Sequence, residues 1–479
     1  MSEQPRHARV GSFYHLADVS LEGRSCCGLA CFAARADDLS RWTTAAEATP
    51  SVYCLGKCYA GPSTASQDLR PHIAVCTSRT VLLGNVIKGG LRNFAAYCGA
   101  GGGTAWAKAQ MMAPAELVGL IEKSGLRGRG GAGFPSGRKW QAVASHASVL
   151  KYLVVNADEG DPGAFSDRFL LEDDPFRMIE AAMIAARAVG ATQGYVYLRK
   201  EYPDAAGILR DALQQAKSAG WLGAGFDMAL VVGEGSYVCG EETAMLNALE
   251  GRRPEVRVRP PQISERGLYG APTLVHNVET LCAVPWIVEQ GADAYAALGF
   301  SKSRGTKLLS LNSLFRRPGL YEVEFGISLA DLCENLGGGL RRGKLKGLMI
   351  GGPLAGIVPP DLLDTRLGYE ELQAIGCAVG HGGIIAFADD TPLAAIMSEV
   401  FRFGAYESCG KCTPCRQGTP VLAEAFKSLA QGRRINRQDY AALIDVLAAT
   451  SLCGHGRGLA EFASAVERHY GEELASCFA

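Results

Sequence analysis

Apolar residues recur at helical spacing in two stretches near the middle of the chain. Met178, Ile179, Ala182, Met183, Ala186 and Val189 predict a helix opened by an Asp174 cap and Pro175 and stopped by Gly190. Ile208, Leu209, Ala212, Leu213 and Ala216 predict a second over 203–219, stopped by Gly220. Short continuous apolar runs at 151–155, 195–198 and 228–232 predict buried strands between them. Alternating strand and helix over about 105–300 predicts an α/β layered domain. From about 305 to 388 the pattern changes to short β runs with Gly and Pro turns (KLLSLNS, GLYEVEF, KGLMIGG, GGIIAFA), interrupted by one helix over 329–335. That predicts a small α+β domain. After Pro392 the chain reads helical to its end, with cysteines in a loop between helices, and the glycine-rich stretch 92–104 closes the first region.

Composition narrows the function. The chain has 479 residues, 48% of them hydrophobic, so a large core spread over about three domains is expected. Lys+Arg 48 against Asp+Glu 49 leaves a net charge of -1, which advertises neither nucleic acid nor an anionic membrane surface. No apolar run approaches the ~20 residues that cross a bilayer. The start, MSEQPRHARVG, lacks the apolar core of a signal peptide. A soluble, cytoplasmic protein without direct membrane insertion is expected. Sixteen cysteines are many for such a chain, in which disulfides are not expected, so metal or cofactor chemistry is the first question.

Cys409-x2-Cys412-x2-Cys415 followed by Cys453 is the strongest signal. Three thiolates at this spacing can wrap three corners of a 4Fe-4S cubane, and a distant fourth closes it. A structural zinc more often uses two separated C-x-x-C pairs, and remains the alternative. Lys411 and Arg416 flank the thiolates, either favouring the reduced cluster or as ordinary surface charge. The isolated Cys76, Cys98, Cys282, Cys333, Cys377 and Cys477 are expected to be small buried hydrophobes.

Residues 125–140 read GLRGRGGAGFPSGRKW, so Gly128-x-Gly130-x-x-Gly133 matches a dinucleotide fingerprint. It follows a predicted helix (115–123) instead of a strand, which argues against a standard Rossmann arrangement. Gly130 and Gly131 can still bring backbone N–H groups close to a phosphate or flat ring, with Arg129 and Lys139 supplying charge. A flexible linker is the plainer reading, although Phe134, Pro135 and Trp140 are dense for one. Two acidic loops follow. Asn156-Ala-Asp158-Glu159-Gly-Asp161 leaves a strand, where α/β folds place ligands, and Gly240-Glu241-Glu242 opens a helix. These carboxylates can bind ribityl or ribose hydroxyls, hold Mg²⁺, or only satisfy a helix dipole.

SGLRGRGGAGFP, NADEGDPGAFSDR, YVCGEETA, ESCGKCTPCRQGT and SLCG, in this order over about 105–479, resemble the family of NADH-binding flavoprotein (FMN, 4Fe-4S) subunits of respiratory complex I. The same module serves NAD-reducing hydrogenases and the β subunits of NAD-dependent molybdenum or tungsten formate dehydrogenases. GCAVGHGGIIAF and EYPDAAGILRDALQQAKSAGWLG look most like the last group. The resemblance implies FMN and NAD(H) sharing one cavity beside the 4Fe-4S cluster, with Gly128, Arg129, Gly130, Gly131 and Lys139 holding FMN phosphate and ring edges. Asn156, Asp158, Glu159, Tyr237, Gly240, Glu241 and Glu242 would line the flavin, and His276 and Asn277 would reach it. Phe134 would stack on the nicotinamide cofactor, with Asp161, Glu242 and Arg259 nearby. Cys239 matches a family cysteine close to the flavin, and could equally be structural. Asp161 stands where Glu is common, His276 where Asn is common, and RVRPPQIS lacks an aromatic after PP.

Cys26-x4-Cys31 and Cys54-x3-Cys58, with CLGKCYAGP, resemble a 2Fe-2S ferredoxin of thioredoxin-like fold. Cys27 offers another register, and a cluster-free or zinc-bearing domain remains open. The architecture so implied is multidomain α/β: a thioredoxin-like domain (1–86), an FMN- and NAD(H)-binding α/β domain (87–304), a β-grasp domain (305–388) and a C-terminal helical bundle carrying the iron–sulfur cluster (389–479). The implied activity is NADH dehydrogenase/diaphorase: hydride exchange between nicotinamide and flavin, and single-electron exchange with the cluster. No side chain need act as acid or base, Glu242 being the nearest candidate. The substrate oxidoreductase would be a separate protein, for formate a molybdenum or tungsten subunit, alongside a small 2Fe-2S subunit. Hydrogenase or complex I subunits are the alternative partners. A non-catalytic iron–sulfur or zinc assembly subunit is the competing reading.

Overall fold

The computed structural model describes residues 14–35 and 52–479. Its strands are β1 (His72–Cys76), β2 (Tyr152–Ala157), β3 (Gln193–Leu198), β4 (Asp227–Val232), β5 (Thr273–Asn277), β6 (Gly299–Phe300), β7 (Ser303–Arg304), β8 (Thr306–Leu311), β9 (Gly319–Glu324), β10 (Leu345–Ile350), β11 (Ile357–Val358) and β12 (Gly383–Ala388). β2 to β5 form a parallel sheet in the order β4-β3-β2-β5. Its middle strand β2 carries Leu153, Val154 and Val155, all fully buried, as expected for a sheet covered on both faces. The two predicted helices are present as Pro175–Val189 and Pro203–Ser218. The first ends at Gly190 with φ 78, in the left-handed region that glycine adopts without a steric penalty.

β5 is the strand of this sheet that the hydrophobic pattern missed. TLVHN ends in two polar residues and lacks a continuous apolar run, yet it pairs in register with β2 from Thr273 opposite Tyr152 to Asn277 opposite Asn156. Asp174 is a second difference. Its side chain makes no cap bond, because Oδ2 accepts from Asn85 Nδ2 at 2.9 Å instead.

The second sheet has six strands in the order β1-β9-β8-β12-β10-β11, both parallel and antiparallel. The four β runs predicted over 305–388 are β8, β9, β10 and β12, and the helical stretch lies at Leu329–Asp331 continuing into a π-helical turn Leu332–Leu336. β1 comes from the N-terminal region. It runs parallel to β9, so among the described residues of 1–86 no separate thioredoxin-like sheet forms. The exposed edge of β9 supplies the backbone partners that β1 would otherwise need within its own region. The segment after β1 is tied to the same sheet, with the buried Glu322 carboxylate accepting N–H bonds from Val81, Leu82 and Leu83.

Beyond Pro392 four helices, Leu393–Tyr406, Thr413–Leu429, Arg437–Thr450 and Gly454–Ala475, pack on one another, as the helical pattern predicts. No helix of the described residues is long and apolar enough to cross a membrane. Of the isolated cysteines, Cys282, Cys333, Cys377 and Cys477 are buried, but Cys76 and Cys98 are exposed. Cys76 ends the edge strand β1, and Cys98 belongs to the short helix Phe94–Gly99, of which only Tyr97 is buried.

Candidate functional site

The glycine loop lies between two helices, Pro114–Ser124 and Ser136–Ala144. It folds back on itself, with Gly128 N–H donating to Phe134 O at 2.9 Å and Ser136 N–H to Leu126 O at 2.9 Å. At Gly130 a Cβ would lie 3.0 Å from the Asn277 Cβ, so a side chain there would have to push the end of β5 back by a few tenths of an ångström. Gly131 bridges Gly380 of the small domain. Gly133 has φ +59, and a Cβ there would sit 2.6 Å from the Tyr369 ring.

Both acidic loops face this turn across the C-terminal end of the parallel sheet, the edge at which α/β folds take their ligands. Asn156 joins them: its Nδ2 donates to Gly240 O at 2.9 Å, while its Oδ1 accepts from Asp158 N–H at 3.1 Å. Tyr237 O–H donates to Asp161 Oδ1 at 2.6 Å. Lys139 pairs with Glu242, and Arg259 Nη2 lies 2.7 Å from Glu241 Oε1 and 3.5 Å from Glu242 Oε2. Two cations and two carboxylates thus alternate along one wall. A surface cleft of about 580 Å³ has Thr243, Arg252, Arg257, Val258 and Tyr269 among its walls.

Three of the expected residues are turned to other tasks. Arg129 is buried, and its guanidinium donates to Tyr369 Oη, Tyr295 Oη and Arg304 O, so its side chain braces the glycine loop against the small domain instead of facing the site. Glu159 accepts N–H bonds from Ser166, Asp167 and Arg168 and an O–H bond from Tyr202. It therefore caps the helix Ser166–Asp173, a role worth ~1 kcal/mol. His276 is buried and accepts from Trp140 Nε1–H at 2.8 Å, and burial holds its pKa well below the usual histidine value, so it is neutral. Glu241 divides its carboxylate between Arg259 and the cap of the helix Glu242–Leu249. Asn277 caps the helix Val278–Cys282 through Oδ1 and donates its amide to Asp167. Phe134 is 45% exposed at the rim, with Arg138 over its ring.

One polar atom among these walls is an orphan: Asp158 Oδ2 is buried without a hydrogen-bond partner, and burial raises its pKa well above the carboxylate range. A buried acceptor or acid of this kind calls for a polar ligand group, and with the close backbone approach at Gly130 it fits a phosphorylated, hydrogen-bonding ring system such as FMN. Cys239 lies beside Asp158 and Tyr197, with its thiol pushed up by burial.

Behind the Glu241 loop lie the C-terminal thiols. Cys409 packs with Val238, Ala244 and Val256, and Cys453 lies against the same group. Cys412 and Cys453 are the N-caps of the helices Thr413–Leu429 and Gly454–Ala475, whose positive ends favour a negatively charged centre. Burial and the neighbouring thiols push Cys415 up to about 12 and Cys453 to about 11, a cost that binding iron to the thiolates removes. Arg253 donates to Cys409 O at 3.0 Å. Lys411 is paired with Glu255, and Arg416 donates to Gly410 O. The donor set fits a 4Fe-4S cluster.

The N-terminal thiols also converge. Cys26, Cys31, Cys54 and Cys58 are all buried, and Cys54 Sγ lies 3.3 Å from Cys58 Sγ. The Cys31 thiol donates to Cys26 and holds the Cys26 pKa down to about 6. Cys27 is only partly buried, unlike these four. Tyr53 edges onto Phe403, which edges onto Tyr237, so the three cysteine-bearing and acidic segments are packed together.

Comparison with known proteins agrees with this geometry. Residues 121–286 match the Nuo51 FMN-binding domain, and residues 395–477 match the NADH-ubiquinone oxidoreductase-F iron-sulfur binding region. The chain is 39% identical over 371 residues to the F 2 subunit of NADH-quinone oxidoreductase from Rhizobium meliloti (strain 1021), covering 75% of this chain and 88% of the relative. It is 41% identical over 361 residues to the HndC subunit of the NADP-reducing hydrogenase of Solidesulfovibrio fructosivorans, covering 73% and 74%. In three dimensions it resembles a chain of an NAD+-reducing [NiFe]-hydrogenase in the air-oxidized state, with a TM-score of 0.83 and 28% identity, over 99% of this chain and 88% of that one. The chain therefore belongs to the family of NADH-binding flavoprotein subunits typified by the F component of NADH-quinone oxidoreductase.

Proposed function

We propose that this chain is the NAD(H)-reactive diaphorase subunit of a cytoplasmic complex, and that the complex is an NAD-linked formate dehydrogenase of which this is the β subunit. The carrying observation is the single site at which the glycine loop, the Asn156-tied acidic loops and the Cys409/Cys412/Cys415/Cys453 thiols meet. The formate dehydrogenase assignment is supported by the segments GCAVGHGGIIAF and EYPDAAGILRDALQQAKSAGWLG. Complex I-type or hydrogenase partners are the alternative, since the relatives above belong to such proteins.

FMN, when bound, supplies two-electron exchange with nicotinamide and one-electron exchange with an iron–sulfur centre. The task of the protein is binding and orientation. The backbone of Gly128, Gly130 and Gly131 with Lys139 would take the phosphate and ring edge. Asn156, Asp158, Tyr237, Gly240 and Glu242 would line the ring, and Asn277 would close its end. Phe134 at the rim would stack on the dinucleotide, with Asp161 and Arg259 beside it. Arg129, Glu159 and His276 would act from behind, through the glycine loop, the helix Ser166–Asp173 and Trp140. The four N-terminal thiols would hold a 2Fe-2S cluster, supported by their burial and mutual contact. The domains would divide at 86/87, 304/305 and 388/389.

The test is the anaerobically reconstituted full chain. It should carry FMN and iron–sulfur absorption and reduce a dye with NADH, and affinity purification from native cells should bring down a molybdenum- or tungsten-containing formate-oxidising protein. A flavin-loaded preparation without NADH–dye activity overturns the diaphorase reading. Recovery of a nickel-containing or membrane-bound partner overturns only the formate assignment.

A further inference from the structure

His381 sits in the loop before β12, within the segment GCAVGHGGIIAF, and is 6% exposed. Its Nε2 lies 3.0 Å from Asp167 Oδ2 and 3.4 Å from Glu159 Oε1, and its Nδ1 lies 3.9 Å from Asp161 Oδ2. The Asn277 amide is 3.5 Å from Nε2, and the His381 carbonyl accepts from Lys307 Nζ at 3.0 Å. Three carboxylates and one ammonium therefore face the ring, and Lys307 is itself paired with Glu279. Glu159 is already engaged by the backbone of the helix it caps. The net surroundings are negative, and Asp167 with Glu159 pushes the His381 pKa up to about 9 against the opposing effects of burial and Lys307.

Asp161 is the member of this group that reaches the site. It takes the Tyr237 hydroxyl on Oδ1, and its carboxylate rests on Gly352, where a Cβ would come within 2.9 Å of Oδ1. Burial raises the Asp161 pKa, while His381, Tyr237 and Arg199 lower it. Gly380, the neighbour of His381, bridges Gly131 of the glycine loop. His381 thus stands directly behind both walls of the site.

We propose that His381 is a positioning residue that, as an imidazolium, keeps Asp161 ionised and turned into the site, so that Asp161 accepts a hydrogen bond from an N–H donor of the nicotinamide dinucleotide. This rests on the diaphorase reading above. The imidazolium supplies the compensating charge that a carboxylate in this desolvated position requires.

The test uses the full chain reconstituted with FMN and iron–sulfur, titrated with the redox-inert tetrahydronicotinamide analogue of NADH and followed by flavin absorbance between about pH 6 and pH 10. For the unmodified chain the dissociation constant should rise about tenfold as pH passes about 9. His381→Asn should bind about tenfold more weakly at neutral pH and lose that alkaline rise. Asp161→Asn should lose the rise too, and the double variant should be no more than about twofold weaker than either single one. Bound FMN per chain is the control for folding. Where His381→Asn fails to retain FMN, the alkaline rise in the unmodified chain and its loss in Asp161→Asn decide the matter. Effects of the two substitutions that multiply independently, or an unmodified alkaline rise in either variant, overturn the role. Failure of the analogue to perturb the flavin at any pH overturns the diaphorase reading itself.

Discussion

Lys307 on β8 and Glu279 on the helix that follows β5 form an ion pair in which both side chains are fully buried. Glu279 also accepts the Leu308 N–H at 2.9 Å, so one carboxylate joins the six-stranded sheet to the flavin-type sheet. Removing a single partner leaves an uncompensated buried charge. Lys307→Met should destabilise the chain by about 3–5 kcal/mol, and the double variant with Glu279→Leu by less. Urea unfolding followed by circular dichroism measures both; a double variant as weak as the single one would argue against the charge as the cause.

The two thiol sets should be separable by metal content. Cys412→Ser should remove about four irons per chain and leave the N-terminal centre and FMN in place. Iron and sulfide analysis, with electron paramagnetic resonance of the reduced protein, distinguishes this from general unfolding.

Cys58→Ser should remove about two irons and leave the four-iron signal intact. Because Cys54 and Cys58 are buried with their sulfurs in contact, the apo form has two thiols in an apolar setting and should remain folded. Zinc in place of iron at this site, found by elemental analysis of anaerobically purified protein, would contradict the two-iron assignment.

Gly130→Ala places a methyl 3.0 Å from Asn277 and fills the close approach between loop and strand. Flavin occupancy should fall about tenfold or more, with little change in unfolding free energy, because the loop is exposed at this position. Fluorimetric FMN titration of the apoprotein checks it. The helix-capping Glu159→Gln, by contrast, should lower stability by ~1 kcal/mol and flavin affinity less.

Stability should fall on the alkaline side through His381. Its folded pKa of about 9 lies above the unfolded value of 6.5. The folded state therefore binds this proton more tightly, and the contribution is complete below about pH 6.5 and lost as pH rises through about 9. Its size is on the order of 3 kcal/mol. His276 acts oppositely: its pKa is depressed by burial, so below about 6.5 the unfolded chain takes up a proton that the folded, neutral ring does not, and stability drops there. Denaturant midpoints across pH should show the alkaline limb flattened in His381→Asn and the acid limb flattened in His276→Gln.

Much of this protein is written in local pattern. The helices at Pro175–Val189 and Pro203–Ser218, the strands β2, β3, β4, β8, β9, β10 and β12, and the Cys409/Cys412/Cys415 wrap follow from periodicity, caps and spacing, which depend only on nearby residues. Tertiary structure decided what spacing cannot carry. TLVHN became a strand because β2 offered an open parallel edge, and β1 joined the second sheet because β9 did. Arg129, Glu159 and His276, which sequence reasoning assigned to the ligand, are held by Tyr369, the Ser166 helix terminus and Trp140, partners that only folding brings within reach. His381 was missed for the same reason: a lone histidine between glycines signals nothing until Asp161 and Asp167, more than two hundred residues earlier, close around it.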